Sequence, residues 1–156
     1  MAVYMIMKIG DILGESQKEG HTDWIEVSRI DHGISQDITE ADMANKERAG
    51  FPRFSFLSAS KKVDVATPDI QAHCAVGKKI PKVELKVFQS STEDKPLMVY
   101  TLENCFVAST NLYGTDTSVP AEDITIAYSK ITLECNALNR AGSMKKGWDL
   151  AAKKEA

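Results

Sequence analysis

The side chains with catalytic or metal-binding potential are His21, His32 and His73, the cysteines Cys74, Cys105 and Cys135, and the carboxylates Asp116, Glu122 and Asp123. Acid–base catalysis needs a histidine or a carboxylate pair within reach of one substrate. A zinc site needs Cys and His at short, repeated spacings. Neither pattern is present. His21 shares a polar loop with Asp23, His32 ends a strand-like run, and His73 abuts Cys74 on a helix-like one. Adjacent helical residues point about 100° apart, so His73 and Cys74 are badly placed to hold one ion. The three widely spaced cysteines form neither a disulfide framework nor a metal knuckle, and buried reduced thiols are expected. Asp116, Glu122 and Asp123 read as the charged end of a hairpin.

The glycine patterns lead to the same place. Gly10-x-x-x-Gly14 lacks the Lys-Ser/Thr of a phosphate loop, and no G-x-G-x-x-G occurs. Gly33-Ile34-Ser35-Gln36-Asp37 lacks the second glycine of a nucleophile elbow. The sequence therefore predicts no enzyme, no cofactor and no metal. Nucleic acid is also disfavoured: 19 basic residues face 22 acidic ones, net charge −3, with no basic patch. The lysine pairs Lys61-Lys62, Lys78-Lys79, Lys145-Lys146 and Lys153-Lys154 read as solvated surface charge. Met1–Met7 is apolar but lacks a basic n-region and is interrupted by Lys8. It predicts neither membrane insertion nor a signal peptide, so folding in the cytoplasm is expected.

At 156 residues, 43% hydrophobic and 26% charged, the chain fits one domain able to bury about 68–70% of its unfolded surface. Period-two alternation dominates. In Lys82–Phe88, Val83, Leu85 and Val87 point one way and Lys82, Glu84 and Lys86 the other. A long strand pair, Leu97–Ser109 and Asp123–Ala137, is predicted around a connection at Asn111–Pro120. A phase slip near Ser129-Lys130 predicts a bulge or a bend. Gly10-Asp11 marks a turn. One helix is predicted, with Thr67 as cap, Pro68 at the first position and Gly77 as exit. Many strands and a single helix suggest a barrel, which removes sticky edges. The span 38–56 is charged and aperiodic, then aromatic at Phe51, Phe54 and Phe56, as in a loop engaged with a partner.

Met5–Ser16, Trp24–Val27 and Gly33–Gln36, in that order, resemble the opening of the haemolysin-coregulated protein (Hcp) family, the tube subunit of bacterial type VI secretion. Gly147-Trp148-Asp149-Leu150 resembles the phrase that closes it. Ser60–Pro68, the helix with its glycine, and the strands reaching Tyr128-Ser129-Lys130-Ile131 are similar in order. The resemblance covers essentially the whole chain. It implies a mainly β fold, a single barrel of two antiparallel sheets with one short flanking helix and a long projecting loop at about 38–56.

The same resemblance implies a structural and transport role: six copies closing into a ring, and rings stacking into an expelled tube. The implied partners are a spike protein at the tip, a contractile sheath and effectors carried in the lumen. The implied location is the cytoplasm before firing and outside the cell afterwards, without a cleaved signal. Glu40, Asp42, Lys46, Arg48 and Arg53 are the expected subunit or ring contacts, with Phe51 or Phe54 as apolar anchor. Asp31 aligns with a lumen-facing position that affects cargo in some relatives, where small or aromatic residues are common; a charge there would alter cargo preference. With nothing after Ala156, no fused toxin is expected. Two other readings compete. One is a small-ligand barrel with Met5, Met7, Tyr100 and Leu102 around a cavity. The other is an enzyme using His21-Asp23 or His73.

Overall fold

Alternating apolar residues become antiparallel strands in the computed structural model, which describes residues 3–45, 50–138 and 141–155. Along the described chain run β1 (Tyr4–Ile9), β2 (Ile25–Val27), β3 (Arg29–Asp31), β4 (Ile34–Gln36), α1 (Glu40–Asn45), β5 (Pro52–Phe54) and β6 (Leu57–Lys62). Then come α2 (Thr67–Val76), β7 (Ile80–Phe88), β8 (Met98–Thr115), β9 (Ser118–Ala127), β10 (Lys130–Asn136), β11 (Ser143–Asp149) and β12 (Lys154–Glu155). The protein is mainly β, with antiparallel sheets and two short helices among the described residues.

One ladder runs β12-β11-β10-β8-β7-β1-β2. The far half of β8 leaves it to pair β9, which pairs β6, which pairs β3. Only Ser28 separates β2 from β3, and its N–H donates to the Ser60 carbonyl at 2.8 Å. Val83, Leu85 and Val87 are buried as their parity requires, and Val83 and Leu85 join one core with Met7, Ile9, Ile25, Leu102, Ile124 and Ile126. Met7 and Leu102, expected beside a cavity in the ligand-barrel reading, are packed core residues. Gly10 turns the chain at φ +55, and its N–H donates to the Lys82 carbonyl at 3.1 Å.

The predicted phase slip is the break between β9 and β10. Opposite it Asn104 takes φ +54, a left-handed conformation that asparagine tolerates, and the Ser129 N–H and hydroxyl both bond the Glu103 carbonyl. The connection expected at Asn111–Pro120 is instead mostly strand. β8 and β9 continue to a tight turn at Asp116-Thr117; one register shift, between Tyr113 and Thr115, absorbs Gly114 and Pro120, and another lies between Val107 and Ser109.

Three further expectations need correction. The chain has a second helix, α1, because Thr39 and Asp42 form a reciprocal cap. The Thr39 N–H donates to Asp42 Oδ2 and the Asp42 N–H to Thr39 Oγ1, each at 3.1 Å. The span 38–56 is therefore not a plain loop: it carries α1 and β5, and β5 pairs β4 in a sheet of its own. Finally, Thr67 does not cap α2. Its hydroxyl accepts from the Asp64 N–H and donates to Glu122 Oε1, and both bonds measure 3.1 Å. Asp64 serves the helix start instead, its Oδ1 accepting from the Ala66 N–H at 2.9 Å. Gly77 ends the helix as expected, left-handed at φ 70, with its N–H on the His73 carbonyl.

Thr67 is drawn away by a buried ion pair. Lys61 is 1% exposed and Glu122 0%, so neither is the surface charge their sequence context suggested. Lys61 Nζ lies 2.7 Å from Glu122 Oε1 and 2.8 Å from Asp64 Oδ1, and also bonds the Lys62 carbonyl and Thr67 Oγ1. Shared partners of this kind offset part of the desolvation of both charges, although Glu122 Oε2 has no hydrogen-bond partner among the described residues. They also lock α2 onto β6 and β9. Of the cysteines, Cys105 is buried and its thiol is pushed up to about 12, chiefly by desolvation, whereas Cys135 is exposed against expectation.

Candidate functional site

The segment that leaves the main sheets between β3 and β6 is rooted in an aromatic cluster. Its first foot is His32 and its second is Ser55. The Gly33 N–H donates to Ser55 Oγ at 2.8 Å, and the Ser55 N–H returns to the Gly33 carbonyl at 2.9 Å. Tyr128, at the end of β9, donates its hydroxyl proton to the Ser55 carbonyl at 2.8 Å and lies 2.7 Å from His32 Nε2. Tyr100 reaches His32 Nδ1 at 3.5 Å. Burial lowers the His32 pKa against the opposing pull of Asp31, and burial raises those of Tyr128 and Tyr100.

Beyond the root, Phe54 stacks on Trp148 with ring centres 6.1 Å apart and planes 20° from parallel. Both rings line a groove of about 510 Å³ together with Ile34, Tyr100, Ile131 and Leu133. Gly147 permits Trp148 its place in β11. A β-carbon there would sit 2.9 Å from the Ile131 carbonyl. Among the described residues no group of His, Cys, Asp and Glu is arranged to hold a metal ion. What the arrangement offers is contact. Ile34, Ile38, Met43, Phe51 and Phe56 are all large, apolar and exposed on this one excursion.

The expected contact residues occupy distinct places. Glu40 opens α1 on the surface, while Asp42 is tucked under it as the cap. Phe51 is 78% exposed, with the Lys153 ammonium 5.8 Å from its ring centre, whereas Phe54 is committed to Trp148. Arg53 pairs with Asp37 at 2.6 Å across the mouth of the β4–β5 ladder. Lys46 and Arg48 lie outside the described residues. Asp31 is exposed on β3, 3.4 Å from Arg29. The histidines of the enzymatic reading are otherwise occupied. His21 packs edge-on to Trp24 and Phe88, and His73 Nδ1 bonds the Asp69 carbonyl at 2.8 Å. Tyr128, Trp148 and Lys61 were not singled out by their chemistry in the sequence. The phase slip beside Tyr128 and the closing Gly147–Leu150 phrase were the available signals.

Fold and site define an antiparallel β scaffold with an excursion, rooted between β3 and β6, that exposes apolar side chains. A family profile described as "Type VI secretion system effector, Hcp" matches residues 6–135. The protein Hcp1 of Pseudomonas aeruginosa is 27% identical over 96% of both chains. A solved structure described as a type six secretion system protein superposes with TM-score 0.91 at 26% identity, covering 99% of this chain and all of that one. Hcp1 from Salmonella typhimurium superposes at 0.83, with 24% identity and coverage of 99% and 100%. This chain belongs to the Hcp family of the type VI secretion system. It is a structural, non-enzymatic tube component and effector carrier, of a family whose members are secreted through that system.

Proposed function

We propose that this chain, folded as one domain, closes into a ring of six copies, and that rings stack into the tube expelled by the secretion apparatus. The apolar side chains on the excursion carry this reading, because Phe51 and Met43 stand in water together with Ile34, Ile38 and Phe56 of the same excursion. A ring of identical copies uses two different surfaces of each subunit and closes by rotation. The continuous pairing from β2 through β1, β7, β8, β9 and β6 back to β3 supports a barrel as the repeating unit. Glu40, Lys46, Arg48 and Arg53 supply polar contacts while Asp42 holds the α1 cap, with Phe51 as the apolar anchor in preference to Phe54. Exposed ion pairs contribute only about 0–1 kcal/mol each, which suits rings that assemble inside a sheath and separate after delivery. Asp31 faces the lumen and shapes cargo preference. Spike, sheath and effectors are the partners, and the subunit folds in the cytoplasm before firing. Negative-stain microscopy of the purified protein tests this: six-fold annuli are expected. A compact protomer at every concentration overturns it.

A further inference from the structure

We infer that Tyr128 and His32 act as a latch that fixes the direction in which β4 and β5 leave the main sheets. Both feet of the segment converge on one hydroxyl. A phenol has one proton and a carbonyl oxygen has none, so the bond to Ser55 consumes the proton that Tyr128 can give. The 2.7 Å contact with His32 Nε2 is then a bond the phenol accepts. His32 must carry its hydrogen on Nε2 and leave Nδ1 bare toward the Tyr100 hydroxyl. A single tautomer links first foot, sheet and second foot in series.

The latch matters because, among the described residues, few other contacts orient β4 and β5. β4 and β5 pair over three residues each in a separate two-stranded sheet, a size that is marginal alone. The Gly33–Ser55 bonds tie the feet to each other. Tyr128, by contrast, belongs to the body: it is 7% exposed, and the next residue is tied to the Glu103 carbonyl. Phe54 on Trp148 adds apolar contact, which holds the segment close without setting its angle. The consequence for assembly rests on reading the segment as a contact surface.

Hydrogen exchange with Tyr128→Phe, which removes only the hydroxyl, tests the latch. The β4–β5 amides should exchange about fivefold faster, the factor expected for one net hydrogen bond, while the β7 amides stay unchanged. His32→Gln, which keeps a donor, should retain protection, and His32→Leu should lose it. In the unmodified protein, imidazole 15N shifts should report the Nε2–H tautomer. Unchanged β4–β5 exchange, uniform acceleration across the chain, or an Nδ1–H tautomer would each overturn the inference. Faster β4–β5 exchange with ring assembly intact would support the latch and count instead against the segment as an assembly contact.

Discussion

Lys61 and Glu122, 61 positions apart in sequence by subtraction, meet at 2.7 Å with neither side chain reaching solvent. They sit directly opposite one another's neighbourhood in the β6–β9 ladder, where Lys61 is in register with Glu122. Removing either partner leaves the other charged and buried. Lys61→Met or Glu122→Leu alone should therefore cost about 3–5 kcal/mol. The double replacement, which removes both charges, should recover most of that. Urea denaturation of the three variants decides it: additive losses in the double variant would refute the coupling.

Gly14 and Gly77 should respond differently to alanine. At Gly14 a β-carbon would fall 2.5 Å from the Trp24 carbonyl and 2.8 Å from Ile25 Cα, so backbone must move. At Gly77 nothing lies within 4 Å, and the cost is the left-handed φ of 70 alone, about 1–2 kcal/mol. Thermal melts should show Gly14→Ala as the more damaging change by a clear margin.

Phe51 and Phe54 separate assembly from folding. Phe54→Ser should lower the unfolding free energy by about 2–4 kcal/mol through loss of packing on Trp148 and the groove. Phe51→Ser should leave protomer stability nearly unchanged, since its ring is already in water. If the excursion anchors neighbours as proposed, Phe51→Ser should instead shift light scattering from rings toward protomers.

Acid should weaken the protein through two histidines. Desolvation is the leading cause that holds both His32 and His21 below the ordinary 6.5. As pH falls through about 6.5 the unfolded chain takes up these protons first, so stability declines from there until the folded-state values are passed. Above about 6.5 both forms are neutral and this contribution is flat. Melting temperatures measured from about pH 7.5 to pH 5 should show the decline, and His21→Gln with His32→Gln should reduce its slope.

Local pattern carried most of the strand assignment. Val83, Leu85 and Val87 declared their face, Gly77 declared a helix end, and the changed parity around Ser129 declared the break between β9 and β10. What stayed hidden depended on distant partners. Lys61 reads as half of a solvated Lys-Lys pair until β9 places Glu122 beside it. Thr67 reads as a cap until that pair claims its hydroxyl. Tyr128 and His32 each look ordinary, and only the convergence of β3, β6 and β9 makes them neighbours. The two-residue turn at Asp116-Thr117 is masked by Gly114 and Pro120, residues that usually end strands but here share one register shift.

The eighteen residues of β8 lend backbone to β7 and β10 at one end and to β9 at the other. Among the described residues no break in strand pairing separates the β10-β8-β7 ladder from the β8-β9-β6 ladder. Tension or denaturant must strip both ladders together, so each subunit should yield in one event. For a subunit expelled in a tube as proposed, yielding in one event keeps each copy whole until that event.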